Sequence, residues 1–172
     1  MNKIDINKNQ FSDLINLVNN VFYPLKNFVS KKEFEKIIYH KKYRKHFFPL
    51  PITFGINKEI YLKFKNTKKF DLYYKNKYLI NIYNVNFYNL DKKKISRKIY
   101  GANYLKHPYY KRFTNENYMF MNFNYKNINK LNLRHRYFIS PSLFKKKLKV
   151  NKVSTLSSFH TRNVPHKAHQ WI

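Results

Sequence analysis

A chain of 172 residues and 21.3 kDa carries a formal charge of +28, from 36 Lys and Arg against 8 Asp and Glu. Its 43% hydrophobic and 19% aromatic content excludes a disordered polycation, and the absence of cysteine excludes a disulfide framework, a thiolate zinc site and a thiol nucleophile. No apolar run reaches the length of a membrane span and residues 1–10 lack the apolar core of a secretory signal, so a cytoplasmic protein with no membrane partner is expected.

Over residues 11–22 the apolar positions Phe11, Leu14, Ile15, Leu17, Val18 and Val21 recur at helical spacing and Pro24 closes the segment, which predicts a first helix. Ser30 and Glu33 form a capping box that opens a second helix, running through Phe34, Ile37 and Ile38 toward Tyr43. From Pro49 the period turns to alternation. Leu50-Pro51-Ile52-Thr53-Phe54, then Ile60, Leu62 and Phe64, predict strands, as do residues 70–74, 77–90 and 118–123, rich in Tyr, Phe and Ile. Residues 91–98 read as a basic connector, loop or short helix, and Gly101 and Pro108 punctuate the segment after it. The Asn-rich stretch 122–132 reads as an exposed loop. Ser140-Pro141 supplies the cap and first residue of a short helix carrying Leu143 and Phe144 before Lys145-Lys146-Lys147. Residues 153–159 read as a last strand. The sum is an α+β chain, a small β barrel or folded sheet with flanking helices.

The charge has two readings. A surface this basic attracts phosphate backbones, and runs such as Tyr109-Tyr110-Lys111-Arg112-Phe113 offer stacking on exposed bases, so nucleic acid is a possible partner. Against this, the chain holds 30 Lys and 24 Asn but 6 Arg, 2 Gly and 2 Ala, the skew of an AT-rich coding sequence such as an organelle or endosymbiont-like genome carries. Phosphate recognition favours arginine, whose planar fork binds bidentately, so base-composition drift is the preferred reading.

The chain closes on Phe159-His160-Thr161-Arg162-Asn163-Val164-Pro165-His166-Lys167-Ala168-His169-Gln170-Trp171-Ile172, a strand end, polar loop and helix start. A helix N-terminus offers free N–H groups and a positive dipole end to an anion. Arg162 is suited to forking onto an oxyanion and Asn163 to bonding a base or ribose edge. His166 and His169 lie three apart on one helix face, a pairing suited to nucleotide phosphates. A zinc site from His160, His166 and His169 lacks a completing cysteine or carboxylate, so no metal site is expected.

This segment resembles the first nucleotide-binding motif of the ATP sulfurylase (sulfate adenylyltransferase) family, in which Thr-Arg-Asn precedes a His-x-x-His pair. Upstream, Tyr23-Pro24-Leu25-Lys26-Asn27-Phe28 resembles the family's Pro-Leu-x-Gly-Phe turn, Phe48-Pro49-Leu50-Pro51-Ile52-Thr53 its Pro-Ile-Thr strand, and Tyr100-Gly101 with His107-Pro108 its short Gly and His-Pro signature. The resemblance implies a PUA-like domain, a β-rich pseudo-barrel with flanking helices, over residues 1–150. Residues 151–172 would then begin a truncated α/β nucleotidyltransferase domain, its first strand, loop and helix start. It also implies transfer of the adenylyl group of ATP to sulfate with release of pyrophosphate. Arg162, His166 and His169 would be the catalytic residues, His160, Thr161, Arg162 and Asn163 would bind substrate, and His166 and His169 the ATP phosphates. No cofactor is implied, ATP being a substrate accompanied by Mg. Asn27 stands where the family has glycine, which predicts a strained or rearranged turn. Gln170 replaces an acidic residue, and Val164-Pro165 is a variant order that leaves the His spacing intact.

Family enzymes continue for roughly another domain of about 100 to 200 residues that completes the pockets. The expectation is therefore a front part of the enzyme, inactive alone and completed by a separate chain or a further copy. The alternatives are a basic RNA-binding module, PUA-like or ribosome-associated, and a remnant with no function of its own.

Overall fold

The computed structural model describes residues 2–126 and 139–157, which belong to two units, Met1–Phe138 and Ile139–Ile172. In the first unit five strands, β1 (Lys3–Asp5), β4 (Phe54–Ile56), β5 (Lys69–Tyr74), β6 (Lys77–Tyr88) and β7 (Met119–Lys126), form a curled half-barrel in the order β1-β5-β6-β7-β4. β1 runs parallel to β5 and every other pairing in this sheet is antiparallel. A separate ribbon joins β2 (Lys42–Tyr43) to β3 (His46–Phe47). The remaining elements of the unit are helices α1 (Lys8–Val18), α2 (Lys31–His40), α3 (Lys58–Phe64), α4 (Lys92–Tyr100) and α5 (Pro108–Glu116), with a 3-10 turn at Tyr104–Lys106.

The sheet curls because β6 is long and irregular. Its register slips against β7 between Tyr83 and Asn86, where Asn84 takes a left-handed φ of 52°, and the β5 to β6 pairing slips at Leu72/Tyr73. Such bulges bend a strand and increase its twist. One face of the sheet collects Phe70, Leu72, Ile80, Ile82, Met121 and Phe123, all buried, while Phe120 turns to the other face, against Tyr88 and Phe113. Phe28, Phe54 and Phe123 meet on the first face with centroids 5.1 to 5.4 Å apart, mostly edge to face, the geometry that ring quadrupoles prefer.

Helix starts follow capping chemistry. Asn7 and Gln10 form a reciprocal box at α1, Ser30 and Glu33 the expected box at α2, and Asn57 and Asp91 cap α3 and α4. α1 therefore begins before the predicted start at residue 11, and it ends at Val18 rather than near Phe22. α2 stops at His40 because Lys41 turns left-handed, and Tyr43 belongs to β2.

The larger correction is at Ile60, Leu62 and Phe64, predicted on a strand and found on α3. Ile60 and Phe64 are four apart, one helical turn, and face inward while Leu62 is exposed. Likewise Leu50 to Thr53 carries no strand, and only Phe54–Ile56 pairs, with β7. Residues 91–98 are mostly helix α4. α5 occupies the stretch of interleaved aromatics and cations around Tyr109 to Phe113. The described part of the Asn-rich stretch, residues 122–126, is strand, because Met121 and Phe123 alternate inward past Asn122 and Asn124.

Asn27 does not take a left-handed φ. Its side-chain amide donates to Asn124 Oδ1 at 3.1 Å, while Leu25 and Phe28 on either side are buried. The second unit contributes α6 (Pro141–Val150), opened by Ser140 and Pro141 as expected. Residues 153–157 are not strand, and residues 158–172 lie outside the described residues.

Candidate functional site

Three pieces of the first unit meet around an open cleft of about 500 Å³ lined by Ser12, Asp13, Thr53, Tyr100, Tyr109 and Arg112 among others. Each wall is held by local chemistry. Gln10 fixes α1: its side-chain oxygen accepts from the Asn7 N–H at 2.9 Å and its amide donates to the Gly55 carbonyl at 2.7 Å, tying the helix start to β4. Asp13, three residues on, then faces the cleft beside Thr53, two residues ahead of Gly55.

The opposite wall is a helix corner. Gly101 ends α4 with φ 78° and ψ −161°, a region open to glycine alone. His107 caps α5, accepting from the Tyr109 N–H through Nδ1 at 3.3 Å, and Pro108 fills the first helical position. The His107 ring also stacks on Tyr100 at 4.0 Å and 13°. The Tyr100-Gly101 and His107-Pro108 segments are therefore the two halves of one corner, fastened by a ring stack. Lys92 closes the other end, its ammonium donating to the carbonyls of Thr114 and Asn117 at the α5 C-terminus, where a cation suits the helix dipole. Burial pushes its pKa down.

Gly55 lies under the Asn117 side chain so closely that a Cβ would fall 1.6 Å from Asn117 Oδ1. At Gly101 the backbone itself admits only glycine, whereas at Gly55 a Cβ requires the Asn117 side chain to move.

The chemistry inside the cleft is mixed. The half-buried Asp13 carboxyl makes no hydrogen bond or ion pair with the described residues, and burial pushes its pKa up. Tyr100 is also held above the ordinary phenol value, by burial first and by neighbouring Tyr109 second. Tyr109 is 59% exposed at the mouth. Among the described residues no three His, Asp or Glu gather as metal ligands. No helix among them is long and apolar enough to cross a membrane.

The predicted site residues His160, Thr161, Arg162, Asn163, His166 and His169 lie outside the described residues. Of the upstream resemblances, Thr53 and Tyr100 line the cleft and His107 supports it, whereas Leu25 and Phe28 serve the core. Asp13, Arg112 and Asn117 were not singled out as site residues from sequence. For Asp13 the sequence offers only its rarity, one of 8 acids beside 36 Lys and Arg, which does not place it at a site.

The PUA-like domain family matches residues 1–122. A sulfate adenylyltransferase of Pyrococcus abyssi is 23% identical over 172 residues, an alignment covering 99% of this chain and 45% of that protein. The chain thus spans about half the length of the curated relative it matches.

Proposed function

The chain belongs to the PUA-like domain family, and from that premise we propose that it forms the N-terminal region of a sulfate adenylyltransferase. One observation carries the reading: the similarity to the Pyrococcus abyssi enzyme does not stop near residue 122 but covers 99% of the chain, so it extends into the His-x-x-His segment. In the assembled enzyme a sulfate oxygen attacks the α-phosphorus of ATP, the bond from that phosphorus to the bridging oxygen breaks, and pyrophosphate leaves. Arg162 binds the sulfate, Asn163 the adenylyl part, and His166 and His169 the phosphates on which charge develops, with His160 and Thr161 lining the site. Fixed donors aimed at that charge lower the barrier. Mg accompanies the ATP. The matched span is 45% of the relative, so the activity is assigned to the completed enzyme and not to these 172 residues alone.

The test joins this chain to the remaining part of the Pyrococcus abyssi enzyme and measures sulfate-dependent pyrophosphate release from MgATP. Activity is expected, with Arg162→Ala and His166→Ala each lowering kcat/KM by about 10²-fold or more, the usual cost of removing a transition-state donor. A folded, active fusion indifferent to both substitutions overturns the reading. Protection of the terminal motif from proteolysis in the unfused chain at millimolar MgATP and sulfate contradicts the need for completion.

A second reading has its own observation. Residues 92–115, the α4 to α5 corner, carry eight Lys and Arg and no Asp or Glu, and most of these cations are exposed. Tight binding to structured RNA with a steep salt dependence supports an RNA-binding module, whereas weak and equal binding to any polyanion leaves the charge as drift.

A further inference from the structure

We propose that the cleft between α1 and the α4 to α5 corner binds a guanine nucleotide. Its volume of about 500 Å³ lies within the usual range of small-molecule sites. Among the described residues Asp13 is the sole acid lining it, in a chain with 36 Lys and Arg, and it has no ionic or hydrogen-bonding partner among them. A half-buried carboxylate in that position calls for a ligand that brings N–H donors.

A purely cationic ligand meets the opposition of a +28 chain, so the donors must come on a molecule that is anionic elsewhere. A nucleotide has both properties. Guanine presents two adjacent N–H groups on its Watson–Crick edge, N1–H and the N2 amino group, spaced to meet both oxygens of one carboxylate. Adenine offers one donor beside an acceptor nitrogen, which would face a carboxylate oxygen. A site built to pair with a donor discriminates strongly against an analogue lacking it. The remaining walls suit the rest of the molecule. Tyr109, 59% exposed at the mouth beside the stacked Tyr100 and His107, offers a face for the base, and Arg112 a guanidinium for the phosphate.

The test titrates the full chain with GMP and with AMP by calorimetry at low and at physiological salt. GMP is expected to bind at least about tenfold more tightly than AMP, the lower end for one hydrogen bond to a charged group. Asp13→Asn is expected to bring that ratio close to one, and Tyr109→Ala to weaken both nucleotides by about tenfold. Asp13→Asn removes a half-buried charge with no partner, so it melts no lower than the parent chain at neutral pH, and its binding defect is not a folding defect. The same GMP affinity is expected in an Arg162→Ala, His166→Ala, His169→Ala chain, which separates this site from the terminal motif. Absence of saturation at millimolar GMP, equal affinity for AMP, or a guanine preference that survives Asp13→Asn overturns the proposal.

Discussion

α2 and α6 are both ten-residue helices opened by a serine whose hydroxyl accepts from the backbone N–H three residues on, yet they differ in what they bury. In α2, Phe34, Ile37 and Ile38 are 3% exposed or less. In α6 no residue is buried, and Leu143 and Phe144 stand 46% and 39% exposed. Helices this short are marginal in water, because a costly nucleus is spread over few hydrogen bonds. Capping and apolar spacing thus suffice to specify a helix without specifying where its stripe goes. α2 is held by the sheet core, α6 by its Ser140-Pro141 start.

The comparison is broken hardest at Phe34. Truncation to alanine is expected to cost about 3 to 5 kcal/mol, the usual loss for a buried aromatic, and urea denaturation checks it. A cost below about 1 kcal/mol would mean that α2 does not owe its stability to burial.

Gly55→Ala comes next, with an expected loss of about 1 to 3 kcal/mol, because a Cβ there overlaps the Asn117 side chain, which must shift and strain its bond to the Phe113 carbonyl. The rescue is specific: adding Asn117→Ala should recover part of that loss, which a double-mutant cycle on thermal melts reads directly. This pair also bears on the remnant reading. Of 172 residues only two are glycine, and they sit under Asn117 and at a φ of 78°.

Much of the fold could be read from the residues, and the failures have physical causes. The Ser30/Glu33 box, the Ser140-Pro141 start and the β5 to β6 run carry strong local chemistry and are found where expected. α3 was missed because Ile60, Leu62 and Phe64 satisfy alternation as well as a helical turn, and the deciding signal was the Asn57 cap. α5 was missed because its aromatics are weak helix formers and it is specified by His107 and Pro108 instead. β1, three residues pairing with β5 nearly seventy positions away, has almost no local signal. Of the cleft, Thr53, Tyr100 and His107 were visible within segments resembling a family. Asp13 was not, since a lone carboxylate on a helix says nothing until the opposite wall is in place.

Among the described residues seven other than glycine take left-handed φ values, Lys41, Arg44 and Lys75 among them. Lys41 ends α2 at φ 54° and ψ 30°, with its N–H donating to the Ile37 carbonyl. The side chain there has a Cβ too close to the following carbonyl, a strain of about 1 to 2 kcal/mol that glycine lacks. Glycine also has more freedom to lose on folding, about 0.5 to 1 kcal/mol. Lys41→Gly is therefore expected to stabilise the protein by several tenths to about 1 kcal/mol, read as a rise in Tm, whereas destabilisation would show that Lys41 holds α2 through contacts such as its bond to the Pro49 carbonyl.

The smallest effect is expected where the comparison began. Leu143→Ala removes three carbons from a position 46% exposed, on a helix none of whose residues is buried, and alanine is the better helix former. Transfer and propensity then oppose each other, and the change in stability of the chain should stay within about 0.5 kcal/mol. The same substitution in the fusion with the remaining part of the Pyrococcus abyssi enzyme gives the comparison its meaning. If the α6 stripe is covered there, the cost rises toward the roughly 2 to 5 kcal/mol typical of a buried leucine, much as for Ile37→Ala in α2. An unchanged, near-zero cost in the fusion would show that α6 stays exposed in the complete enzyme, and that its apolar residues serve neither half.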